Sequence, residues 1–159
     1  MNYPILAWIN HCRQFHGLVY EDVAAELKLS QLEIDILLFL HNSPECNTAR
    51  DIVAYRGFAK SNVSTAIDSL RQKGYLSVLT DPDSRKVQRL SLTAEKADAV
   101  SRLRELQKME FSLMLSNISE EEYQMLRSLL EQMDANVNAA IQQYKKGVVP
   151  ISNGGMNNV

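Results

Sequence analysis

The sequence predicts a mainly α-helical fold with one β-hairpin, and three observations carry that reading. Capping boxes at Ser30-Gln-Leu-Glu33, Thr48-Ala-Arg-Asp51 and Ser119-Glu-Glu-Glu122 mark helix starts. In each, a hydroxyl accepts the orphan N–H three residues on while the acid reaches back. The hydrophobic period then changes near Tyr75 from helical to alternating. Finally, Tyr123, Leu126, Leu130, Met133, Val137, Ala140 and Tyr144 recur at alternating spacings of three and four, a heptad seam.

Over residues 5–26, Ile5, Trp8, Cys12, Phe15, Val19 and Val23 share one face of an amphipathic helix. Ser30 opens a second helix, Gln31 to His41, apolar on nearly every side and so expected at the centre of the core. Asn42-Ser-Pro-Glu ends it. Thr48 starts a short helix through Tyr55, and Arg56-Gly-Phe forms a tight turn in which Gly57 is free to take positive φ. A fourth helix spans about Lys60 to Lys73, with Gly74 as its C-terminal stop. Tyr75-Leu-Ser-Val-Leu has strand composition, Asp81-Pro-Asp-Ser is turn chemistry, and Val87 to Leu92 returns as the second strand. Thr93 is expected to cap a long helix to about Asn117, and the last helix runs to about Lys146. The Gly- and Asn-rich tail, 147–159, is expected to be disordered.

Bulk properties narrow the function classes. At 159 residues, 45% hydrophobic and 23% charged, the chain has the material for one ordinary globular domain. No apolar run approaches the roughly 20 residues of a membrane span, and Arg13, Glu21 and Asp22 interrupt any signal-like N-terminus. Two cysteines are too few for a disulfide framework, so a reducing cytoplasm is the expected compartment. There is no phosphate loop, nucleophile elbow or His-Glu-x-x-His, so no enzyme is expected and no cofactor. Cys12 with His16, and His41 with Cys46, are two partial pairs, short of a metal site.

Charge is unevenly spread. The net charge is −2, but residues 48–92 hold eight cations against four anions, while the rest holds nine against fifteen. A basic middle between acidic ends is the pattern of a chain whose middle alone meets phosphates. Within it, Ile52 and Val53 on the short helix and Val63, Ile67 and Leu70 on the next form a shared apolar face. The opposite face of the second helix crowds Lys60, Ser61, Asn62, Ser64 and Thr65 into its first turn and a half. Short polar side chains at a helix start reach base edges in the major groove, and free N–H groups there meet phosphate. The hairpin that follows carries Arg85 and Lys86 at its expected tip and Arg89 nearby, which makes a winged helix-turn-helix. Arg50 adds a cation on the short helix. The partner expected is double-stranded DNA.

These residues, in this order, resemble the core of the multiple-antibiotic-resistance regulator (MarR) family. The resemblance rests on Ser30-Gln-Leu-Glu, Thr48-Ala-Arg-Asp-Ile-Val, Lys60-Ser-Asn-Val-Ser-Thr-Ala-Ile-Asp-Ser-Leu, Lys73-Gly-Tyr-Leu, Asp81-Pro-Asp-Ser-Arg-Lys and Leu90-Ser-Leu-Thr93. It implies a single domain over residues 1–146 of a cytoplasmic bacterial transcription regulator. The DNA-binding lobe would span about 30–93, and the helices at about 5–26 and 94–146 would pair two copies into a homodimer. Two recognition helices would then meet half-sites of a pseudopalindromic operator about one DNA turn, roughly 34–36 Å, apart. Repression is the family tendency. Thr65 stands where many members have Arg. The family's wing pattern, acid-x-Arg, falls on Ser84 and Lys86 in one frame and on Asp83 and Arg85 in the other.

The resemblance also implies an effector. In the family, small aromatic or phenolic acids bind between the dimerisation helices and the DNA-binding lobe. Here the lining would include Trp8, His11, Phe15, His16 and Phe39. Some relatives sense oxidants through a first-helix cysteine, which makes Cys12 a candidate redox residue. The other reading kept open is a winged-helix protein-interaction module without DNA binding.

Overall fold

The computed structural model describes residues 4–81 and 84–147, without the side chains of Tyr55 and Arg85. The helices are α1 (Pro4–Leu27), α2 (Gln31–Asn42), α3 (Ala49–Arg56), α4 (Lys60–Gln72), α5 (Ala97–Met114) and α6 (Glu120–Lys145). Between α4 and α5 lie strands β1 (Leu76–Asp81) and β2 (Ser84–Leu92) and a 3-10 turn, Ala94–Lys96. The expected disordered tail falls, from residue 148 on, outside the described residues, as do Pro82 and Asp83 of the expected turn. The chain forms two compact units, one through Met114 and one from Leu115.

In the first unit α2 is the hub. It packs against α1, α4, α5 and β2, and Ile34, Ile36 and Leu37 are wholly buried with Tyr20, Ile52, Val63, Leu70 and Leu103. Full burial of each such side chain stabilises by about 1.5–3 kcal/mol. This explains a helix apolar all round: every side has a neighbour. The boxes hold as expected. Ser30 N–H donates to Glu33 Oε2 at 2.6 Å, and Glu33 N–H to Ser30 Oγ at 3.2 Å. Thr48 and Asp51 exchange the equivalent pair at 3.0 and 3.1 Å. Gly57 caps α3 at φ 67 with nothing within 4 Å of a would-be Cβ, so backbone geometry alone asks for glycine.

Glu33 has a second duty. It is 3% exposed, and Lys73 Nζ donates to both its oxygens, at 2.7 and 2.9 Å, and to the Lys28 carbonyl at 2.8 Å. Burial pushes the carboxyl up, but the hydrogen bonds from Lys73, Ser69 and Ser30 outweigh it and hold it below the usual carboxylate range. The end of α4 is thereby pinned to the α1–α2 junction.

The hairpin is antiparallel, with Leu76 opposite Leu92, Val78 opposite Leu90 and Thr80 opposite Gln88. Register then breaks, and Asp81 faces Ser84. Residues 85–87 are therefore extra on β2. Arg85 and Lys86 lie within that strand, past the tip where they were expected, because the alternating pattern becomes regular only at Val87. Thr93 does not cap a helix through its side chain. Its hydroxyl donates to the Gly74 carbonyl at 2.6 Å, closing the base of the hairpin, and the 3-10 turn precedes α5.

In the second unit, Ser119 and Glu122 form the third box, at 2.8 and 3.2 Å, and open α6. Most of the heptad residues of α6 are exposed in the single chain, Leu130 to 50% and Val137 to 56%.

Candidate nucleic-acid interface

Helix α4 is two-faced. Val63, Ala66, Ile67 and Leu70 are buried against the core, while Lys60, Ser61, Asn62, Ser64 and Thr65 are all exposed. Unlike α2, α3 and α6, it opens without a side-chain cap, on Ala59. Among the described residues its first-turn N–H groups thus have no side-chain cap, and they point out of the helix end. Thr65 Oγ1 donates to the Ser61 carbonyl at 3.1 Å. That leaves its oxygen lone pairs and methyl group to face outward. Asp68, one turn on, is also exposed and lies 3.7 Å from Arg71.

A second group of cations gathers beside the hairpin. Arg50, Lys86 and Arg89 line a cleft of about 690 Å³ with Thr48, Asp51, Val87 and Gln88. Arg89 is fixed there: Nε donates to Asp81 Oδ2 at 2.6 Å, and NH1 to Asn47 Oδ1 at 3.0 Å. Leu90 N–H donates to the Asn47 carbonyl at 2.8 Å, so β2 is also stitched to the α2–α3 loop. Among the described residues Asp81 holds Arg89, a pair that belongs to neither sequence frame; Asp83 and the Arg85 side chain, on which one frame rests, lie outside the described residues. Asp81 was legible as part of the turn and Asn47 only as a polar loop residue; neither was legible as a partner of Arg89, which lies across a turn from one and a loop from the other.

A third feature lies between α1, α2, α3 and α5 in the first unit. A cavity of about 710 Å³ is lined by Ile9, Cys12, His16, Asp35, Phe39, Arg56 and Glu110 among others. Of the five expected lining residues, His16 and Phe39 are present; Trp8, His11 and Phe15 stand outside it, and Trp8 is 54% exposed. The cavity takes the α1 face that carries 9, 12, 13 and 16, one position out of phase with the 8, 11, 15 stripe. Cys12 is half-buried on its wall. Among the described residues no three His, Cys, Asp or Glu side chains group as metal ligands, and no helix is long and apolar enough to cross a membrane.

Residues 27–86 match the family model described as MarR family. No curated protein matches the sequence. Among solved structures, a MarR-family transcriptional regulator from Listeria monocytogenes, complexed with a 26-mer DNA, is 18% identical with a TM-score of 0.76, covering 92% of this chain and 97% of that one. A MarR-family regulator from Silicibacter pomeroyi is 21% identical with a TM-score of 0.70, over 82% and 87%. Bordetella bronchiseptica BpsR, whose structure concerns regulation of its DNA binding by 6-hydroxynicotinic acid, is 17% identical with a TM-score of 0.63, over 83% and 99%. At these identities the likeness is one of fold.

Proposed function

We propose, from the match of residues 27–86 to the MarR family model, that this chain is a winged-helix regulator of that kind: a homodimeric, DNA-binding transcriptional repressor that reads a pseudopalindromic operator. The observation that carries the reading is the exposed start of α4: five short or cationic side chains around an N-terminus with no side-chain cap. Lys60 and the open N–H groups suit phosphate. Asn62 suits a bidentate contact to adenine, and Thr65, its hydroxyl already donating to Ser61, suits an amino group or the thymine methyl. Arg50, Lys86 and Arg89 supply a second cationic surface, for the flanking backbone or minor groove, and Arg85 belongs with them by sequence.

In this reading residues 30–93 are the DNA-binding lobe, and the helices at 5–26 and 94–146 pair the two copies. The setting is a bacterial cytoplasm. The cavity beneath α2 is the proposed seat of a small aromatic or phenolic effector that releases DNA, with His16 and Phe39 on its wall. Selection from a random-sequence duplex library at two salt concentrations tests the proposal. An enriched inverted repeat with half-sites one turn apart, binding less tightly at higher salt, is the expected result. Failure to bind any duplex at low salt would overturn it.

A further inference from the structure

His16 sits between two acids from different helices. Its Nδ1 is 2.9 Å from Glu110 Oε1 and 3.1 Å from Oε2, on α5. Its Nε2 is 3.2 Å from Asp35 Oδ1, on α2. That second approach is oblique, so Nε2 has no well-aligned hydrogen bond and is held by charge. Asp35 Oδ1 also accepts from Arg56 NH2 at 2.7 Å, and Arg56, the last residue of α3, covers the Phe58 ring at 5.6 Å. Two residues past Phe58, α4 begins.

An imidazole in this position satisfies both acids only when both nitrogens carry protons. A neutral ring donates from one nitrogen and turns a lone pair toward the other carboxylate. We propose that His16 is a proton-operated latch joining α1 and α5 to the helix-turn-helix through Asp35 and Arg56, so that duplex affinity falls as the imidazole loses its proton. The inference rests on the DNA-binding reading above. A latched lobe presents its recognition helix already oriented, whereas an unlatched one must be ordered on binding.

The groups that face His16 are few. From α1 come Tyr20, its ring 4.7 Å from the imidazole, and Arg13 and Cys12 on the same cavity wall. From α2 comes Asp35, from α3 Arg56 behind it, and from α5 Glu110. Burial first, then the two acids, pushes the Tyr20 hydroxyl up, so it stays neutral. The contact with Asp35 raises the His16 imidazole above its ordinary 6.5; burial opposes this, and Glu110 adds to it. A group raised on folding contributes stability that is complete below 6.5 and is lost as pH rises through the folded value. The latch therefore opens on the alkaline side.

The test pairs two readouts at constant ionic strength. Imidazole titration by NMR follows His16 in the free dimer, and fluorescence anisotropy follows binding to the duplex enriched by selection. In the parent, His16 is expected to titrate above 6.5, and affinity to fall across that titration by about tenfold per pH unit at most for each His16, the slope of one linked proton. His16→Gln should bind across the same range with about the parent's alkaline affinity. If that variant does not fold, Glu110→Gln removes one acid and must move both titration and affinity profile to lower pH. A His16 titrating at or below 6.5, a pH-indifferent parent, or a His16→Gln profile like the parent's would overturn the latch. Absence of duplex binding at every pH would instead overturn the regulator reading, and the latch's reach to DNA with it.

Discussion

Removing the Lys73 ammonium would leave Glu33, 3% exposed, as a buried carboxylate without its counter-charge, held only by the hydrogen bonds from Ser30 and Ser69. Breaking such a pair on one side costs about 3–5 kcal/mol, so Lys73→Met should lower stability by that order in urea unfolding at neutral pH. The sign of the pH dependence follows from the depressed carboxyl. Its contribution is complete above 4.5 and is lost as pH falls through the folded value, so parent and variant should converge in acid. Other residue-scale features divide by how local they are. All three capping boxes were legible, because hydroxyl and acid lie three residues apart and need no third partner. The latch was not: His16 and Glu110 are 94 residues apart in sequence. Nothing in either neighbourhood marks them as a pair. Arg89 was legible as a cation of the wing, but its tie to Asp81 and Asn47 depends on the hairpin register and the α2–α3 loop.

At the scale of elements, α4 and the β2 cleft would play different parts in the proposed DNA interface. Lys86→Ala should weaken binding to every duplex alike and reduce the salt slope by about one. Asn62→Ala should instead change base preference, by about 1–3 kcal/mol at one position of the half-site. Competition between the selected duplex and single-base variants, repeated at several salt concentrations, separates the two. Uniform loss for Asn62→Ala would remove it from the set of base readers. The helices themselves were legible from periodicity, and α4 even to its two faces. The tip of the hairpin was less so, since residues 85–87 are extra on β2 and carry no alternation to read. The phase of α1 relative to the cavity was not legible for a related reason. Both its 8, 11, 15 and its 9, 12, 16 stripes hold apolar or aromatic residues, and only the packing of α5 and α2 decides which one faces the cavity.

For the whole molecule, the unspent apolar surface is the guide. Ile5, Leu6, Trp8 and Ile9 on α1, and Leu126, Leu130, Met133 and Val137 on α6, are all exposed in the single chain. Contiguous faces of this kind mark interaction surfaces, and the proposed two-fold dimer would cover them. Leu130→Glu should therefore shift the protein toward monomer in analytical ultracentrifugation and weaken binding to an inverted repeat far more than to a single half-site. A variant that remained dimeric would place the α6 seam outside the dimer interface.

The absent cap on α4 has one more consequence, for anyone who tries to make this protein sturdier. Ala59→Asp or Ala59→Ser would supply the missing acceptor and should raise stability by about 0.5–2 kcal/mol. A thermostability screen would keep such variants. Yet the new side chain would occupy the N–H groups that the proposed interface offers to phosphate, and aspartate would add a repelling charge at that point of approach. Melting temperature and duplex affinity should thus move in opposite directions at this one position, aspartate further than serine. If both rose together, those amides do not touch DNA.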